Sequence, residues 1–171
     1  MQVYRVAYRA YAKAPLDGEG SFLYGGRWSS VGTRMVYMSS ALTLAMLEFL
    51  AHVDVGDFDP NHAPELIYVA AIVPDAAVLS LDAIGVKLPA NWSDLPAPAI
   101  GAAIGDGWIR EVRSLGLSVP SVHIPSAMPE RNVLLNPLHP RFSEVHYSID
   151  ELTYDRRLLA TRRAHESGTD L

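Results

Sequence analysis

Residues 41–53 read ALTLAMLEFLAHV, and this stretch restricts the fold more than any other. Apolar side chains fall on nearly every face of the helix that it predicts. Such a helix has to be buried on most sides, which requires a sheet or further helices around it. Ser39 or Ser40 offers the N-cap. Glu48 is the one acid in the segment. A carboxylate in such surroundings costs several kcal/mol to desolvate, roughly, unless it is paired or opens into a cleft. Two readings follow for Glu48: a catalytic carboxylate on a pocket floor, or a structural acid that reaches the rim or pairs inside the core. His52 lies four residues on, on the same face. That spacing suits two metal ligands, but no third ligand is evident nearby, so the sequence favours no metal site. A local hydrogen bond at the helix end is the expectation for His52.

The rest of the chain supplies the sheet. Alternating or β-branched runs predict strands at residues 3–8, 35–38, 65–73, 78–81, 117–123, 132–135 and 144–149. Residues 12–30 read as a long loop, and Pro and Ala make residues 88–100 irregular. A second helix is predicted over about residues 98–115, ending at Gly116. Strands outnumber helices and Pro/Gly turns separate them. The expected fold is therefore a single α+β domain, a mixed or antiparallel sheet with flanking helices. Residues 1–155 form it, and residues 156–171 form a basic, polar tail that includes a short helix.

Composition limits the chemistry. The 171 residues are 49% hydrophobic and 19% charged, a globular balance. There is no cysteine, which excludes disulfides, thiolate metal sites and a Cys nucleophile. No apolar run approaches the roughly 18 residues that a membrane helix needs. The segment MQVYRVAYRAYAK has no apolar signal core, so a cytoplasmic protein is expected. The net charge of -5 argues against direct nucleic-acid binding. Residues 49–109 carry eight acids against Lys87 alone, either a solvated surface or a docking face for a basic partner.

Two further stretches carry candidate chemistry. In YGGRWSS, paired glycines let the backbone approach a ligand. Arg27 can offer a planar fork to phosphate, and Trp28 a stacking or packing face. Tyr37, in the strand before the helix, either lines the same pocket or packs in the core. Ser121, in LSVPS, lacks the G-x-S-x-G elbow and reads as a hydrogen-bond donor to a ligand, not an acylated nucleophile. His139, between Leu138 and Pro140, reads as a turn histidine.

Taken in order, YRVAYRA, GGRWSSVGTRMVYMSSALTLAMLEFLAH, LSVPS and NVLLNPLHPRF resemble the RES domain, the toxin half of Xre-RES toxin–antitoxin modules. The resemblance runs from Tyr4 to about Ile149. The family's Arg falls on Arg27, its Tyr on Tyr37, its Glu on Glu48 and its Ser on Ser121, with Ser126 a second candidate for that serine. The resemblance implies an ADP-ribosyltransferase-like fold. It also implies consumption of NAD+ as substrate, by phosphorolysis with inorganic phosphate or by hydrolysis, or transfer of ADP-ribose to a protein. No permanently bound cofactor is implied. The implied partner is an Xre-type antitoxin protein, and the implied assembly a homodimer within a larger complex. Arg27, Trp28, Tyr37 and Ser121 would then contact NAD+, with Glu48 at the reacting ribose. A binding module without catalysis, docking a basic partner through the acidic middle, is the alternative of another class.

Overall fold

The computed structural model describes residues 1–53, 64–155 and 158. The alternating run QVYRVAY forms β1 (Gln2–Tyr8). It is flanked by β2 (Val36–Ser39) and β3 (Leu66–Ile72), both antiparallel to it. With β4 (Val78–Ser80), β5 (Gly116–Val119), β6 (Asn132–Leu135) and β7 (His146–Glu151), these make a seven-stranded sheet in the order β4-β5-β6-β2-β1-β3-β7. The β4–β5 pair is parallel and the others are antiparallel. The molecule is thus a single α+β domain on a mixed sheet, as the strand-rich pattern predicts.

Side-chain alternation gives the sheet two faces, each with its own core. One joins Val3, Val36, Met38, Val69, Val133 and Leu135 to Leu16 and Val145 from covering loops. The other packs Leu117, Val119 and Leu134 against Trp28 and against Trp108 of α3 (Ala99–Glu111). Tyr37 and Ser39 alternate with Val36 and Met38, so they stand on this second face. Register carries that face across the sheet, with Ser39 opposite both Tyr4 and Asn132, and Tyr37 opposite Leu134. The helix α2 (Leu42–His52) packs on the same side, setting Ala45 against Val6 and Leu66.

Several expectations are corrected. Neither Ser39 nor Ser40 caps α2, whose N-cap is Ala41 with no side-chain hydrogen bond. Ser39 Oγ donates to Asn132 Oδ1 at 2.8 Å, and Ser40 Oγ accepts the Arg131 N–H at 2.9 Å. Both serines tie β2 to the start of β6 instead. Among the described residues α2 is covered on one side, not most: Leu44 and Ala45 are buried, while Leu47 is 38% exposed. The predicted loop contains a short helix, α1 (Glu19–Tyr24), whose buried Ser21 Oγ accepts the Met35 N–H at 2.7 Å. Six residues give no readable period, and this tertiary bond holds the turn. Helix α3 ends at Val112, which takes φ 50°, rather than at Gly116. Ser114 explains the early stop: its Oγ accepts the Trp108 indole N–H and donates to the Gly116 carbonyl, opening β5. Apart from Leu158, the predicted tail helix lies outside the described residues.

Candidate active site

The site forms where β2, β6 and the segment after β5 meet under α2. Glu48 sits on the second turn of α2, and its side chain is 22% exposed. Its Oε1 accepts two hydrogen bonds, from Ser121 Oγ at 2.7 Å and from Asn132 Nδ2 at 2.6 Å. Asn132 is oriented in turn by Ser39, and Ser121 accepts the His123 N–H at 3.0 Å. The other oxygen, Oε2, faces His123 Nε2 at 3.4 Å. The Glu48 carboxylate is therefore clamped by polar donors rather than sunk among apolar side chains. Oε1 takes both of these hydrogen bonds, and Oε2, which takes neither, is left open to a further partner beside His123.

Chain geometry explains the convergence. Glu48 lies on the turn of α2 that faces the sheet. Asn132 is the first residue of β6, and its pairing with Ser39 aims it at that turn. Val119 pairs with Asn132, so the chain leaving β5 through Pro120 brings Ser121 alongside. Ser121 and Asn132 are both buried.

The second cluster of predicted residues is built by the loop before β2. The Tyr37 hydroxyl accepts the Trp28 N–H at 3.1 Å and lies 2.9 Å from Ser29 Oγ. Burial pushes the Tyr37 phenol above its ordinary value of 10.0, against the Ser29 and Trp28 hydrogen bonds, with Asp106 adding to the rise. A Cβ at Gly26 would crowd this hydroxyl, and one at Gly101 or Gly105 would collide with the Arg27 or Trp28 carbonyl oxygen. The two α3 glycines thus let the helix backbone lie directly on the loop. Asp106 completes the dock by accepting the Ser30 N–H at 3.1 Å. Burial acts to raise the Asp106 carboxyl, but hydrogen bonds from Ser30 and Thr33, with the Arg110 charge, hold it below its ordinary 3.8.

Trp28 itself is 2% exposed and packs in the core beside Trp92. With its ring enclosed, it offers no stacking face to a ligand, which corrects its expected place among the NAD+ contacts. Arg27 remains half-exposed and donates to the Trp92 carbonyl at 2.8 Å and, at 3.5 Å, to that of Asp94. Trp92 also lines a cleft of about 520 Å³ with Lys87, Ser126 and Arg131. Ser126 is exposed and its carbonyl accepts from Arg131, so of the two candidate serines it is Ser121 that meets Glu48.

The structure thus brings Glu48 and Ser121 together directly, and Tyr37 and Trp28 together through the loop that presents Arg27. His52 Nδ1 bonds the Glu48 backbone carbonyl at 2.8 Å, the local role expected of it. His139 lies in a turn, where its Nδ1 accepts the Arg141 N–H. Asn132 and His123 were not picked out from the sequence, and Ser39 only as a candidate helix cap. One signal pointed to Asn132: a polar residue opening an otherwise apolar run and sharing a face with Leu134. His123 gave none. Acids of the acidic stretch serve separate local uses among the described residues. Asp54, Asp57 and Asp59 lie outside them, Asp75 bonds the N-terminal amine, and Asp106 holds the loop.

The sequence profile of the RES domain matches residues 2–157. A protein named Toxin Res from Yersinia enterocolitica is 35% identical over 154 residues, covering 90% of this chain and 95% of its own length. A Sphingobium protein named Prs ADP-ribosylating toxin is 37% identical over 134 residues, covering 77% of this chain and 78% of its own. In the crystal structure of the M. tuberculosis MbcT-MbcA toxin-antitoxin complex, one chain matches with a TM-score of 0.66 at 18% identity, over 95% of this chain and 88% of that one. At that identity the match speaks for the fold. The profile spans almost the whole described chain, and the relatives align along most of their own lengths with the clamped Glu48 region inside the match; this chain belongs to the RES domain family.

Proposed function

We propose that the protein is the toxin of a toxin–antitoxin system and that it cleaves the bond between nicotinamide and ribose in NAD+. The observation that carries this reading is the asymmetric clamp on Glu48, with Oε1 held by Ser121 and Asn132 and Oε2 free of both, facing His123. The pyridinium of NAD+ leaves with the bonding electron pair as neutral nicotinamide, so the leaving group takes no proton. That removes the need for the second carboxylate that ordinary glycosidases use. Positive charge grows on the ribose as the bond breaks. The open oxygen of Glu48 stabilises that charge or holds a ribose hydroxyl, and its orientation is fixed before substrate arrives. Phosphate or water then forms the new C–O bond on the opposite face, and with water a proton passes to solvent. Arg27, hydrogen-bonded to the Trp92 carbonyl, is the proposed source of N–H groups for the pyrophosphate. Tyr37 holds the loop that carries it.

The expected setting is the cytoplasm. The expected partner is an Xre-type antitoxin that covers the site and supplies the DNA contact, with the toxin as a homodimer. Among the described residues no helix is long and apolar enough to cross a membrane. Incubating the purified chain with NAD+, with and without phosphate, tests the reaction. ADP-ribose 1-phosphate is expected with phosphate or ADP-ribose without it, each with one nicotinamide. Absence of free nicotinamide under both conditions overturns the reading. A second reading, ADP-ribose transfer to a protein, draws support from the name of the Sphingobium relative. Adenine-labelled NAD+ in cell lysate separates the two, because transfer leaves label on a macromolecule. The non-catalytic alternative predicts that expression without antitoxin is equally harmless for wild type, Arg27→Ala and Glu48→Ala.

A further inference from the structure

Glu48, His52 and His123 place one ligand atom each within 4.8 Å of one another. The sequence shows only the first two, and the fold brings the third from 71 positions beyond His52. Two details make the cluster more than a chance grouping. The Glu48 Oε2 to His123 Nε2 separation is 3.4 Å. Oxygen and nitrogen ligands at about 2.0–2.2 Å from a tetrahedral Zn2+ lie roughly 3.3–3.5 Å apart, so this edge of a coordination shell is already set. The second detail is the His52 ring. Its Nδ1 lies 2.8 Å from a backbone carbonyl, which can only accept, so Nδ1 carries the proton. The neutral ring then keeps its lone pair on Nε2, the tautomer that metal-binding histidines adopt when a backbone carbonyl holds the other nitrogen. The two imidazoles meet edge to face with centroids 6.1 Å apart. Both histidines are exposed, so their rings are free to turn toward a shared ion.

We propose that Glu48 Oε2, His52 Nε2 and His123 Nε2 form a binding site for a divalent transition-metal cation of the Zn2+ class, and that its occupancy silences the protein by taking the open carboxylate oxygen. Nitrogen and carboxylate ligands suit Zn2+, and a fourth position stays open to water. The silencing rests on the NAD+ reading above; the metal site does not.

The test uses untagged full-length protein. Co2+ is titrated by its visible absorption and Zn2+ by calorimetry, for wild type, His52→Ala, His123→Ala and His139→Ala. One equivalent should bind wild type and His139→Ala alike. The His52→Ala and His123→Ala variants should each bind roughly tenfold more weakly or worse. No saturable binding, or wild-type affinity in either ligand variant, overturns the site. Nicotinamide release is then measured as the ratio with and without Zn2+, in phosphate-free buffer and again with phosphate kept below the solubility limit of its zinc salt. That ratio should drop about tenfold or more for wild type at the concentration that fills the site, and stay near one for His52→Ala. A wild-type ratio near one despite bound Zn2+ overturns the silencing. Absence of nicotinamide release without metal, both in this buffer and with phosphate added, defeats the NAD+ reading, and the titrations still decide the site.

Discussion

Glu48 is one carboxylate whose two oxygens have different neighbours, and the proposed catalytic role falls to the oxygen that Ser121 and Asn132 leave. Ser121 and Asn132 spend their donors on Oε1, so they are positioning residues for Oε2. A hydrogen bond to a charged group contributes about 1.5–3 kcal/mol. Ser121→Ala and Asn132→Ala should each lower kcat for nicotinamide release by roughly 10- to 100-fold, with KM for NAD+ changed far less. Steady-state kinetics on variants with wild-type circular dichroism decide it, and an effect confined to KM contradicts the positioning role. The sequence revealed Glu48 because an acid inside ALTLAMLEFLAHV is conspicuous, and Ser121 through the family resemblance. It did not reveal His123 or the role of Asn132. These arrive through the β5–β6 and β2–β6 pairings, and a strand's register is not written in any local period.

At the scale of elements, the loop that presents Arg27 is held from two sides. Tyr37 holds it from the sheet through Trp28 and Ser29. Helix α3 holds it from above, where Gly101 and Gly105 allow backbone contact. Gly105→Ala should cost about 3 kcal/mol, near the upper end for overpacking, because its methyl would occupy the place of the Trp28 carbonyl oxygen. Urea denaturation measures this, and a loss below about 0.5 kcal/mol, the range of ordinary surface changes, would show that the loop yields freely. Tyr37 makes the dock sensitive to alkali. Its folded-state value lies above the ordinary 10.0, so folding favours the protonated phenol. The stability tied to this proton is intact below pH 10 and falls as the pH rises from there toward the folded value. Tyr37→Phe should flatten that decline in urea melts between pH 9 and pH 11, and an unchanged slope contradicts it. The sheet strands and both long helices were legible in alternation and helical period. The misses share a cause: Ser39, Ser40, Ser114 and Ser21 each carry a good local signal or none, and each is used for a tertiary hydrogen bond instead.

At the scale of the molecule, the mixed sheet sets both long helices on one face, and the candidate site forms on that face beneath α2, where the β2 and β6 ends meet the chain leaving β5. A cysteine-free chain loses nothing for this chemistry, since a carboxylate and an arginine suffice for the loss of a neutral leaving group. The acidic balance of -5 suits the proposed reading, in which contact with DNA is left to the partner. The fold class was legible because strand count and turn spacing are summed over the whole chain and tolerate local errors. The site was legible only in part, because it is an intersection of three distant segments. The central claim is that the open oxygen of Glu48 drives cleavage of NAD+, and it meets its most direct test in nicotinamide release by wild type and Glu48→Gln side by side. Wild type should release nicotinamide, and a folded Glu48→Gln should be slower by roughly 100- to 1000-fold, the scale of losing one preorganised electrostatic contact. A Glu48→Gln variant that matches wild-type turnover contradicts the account.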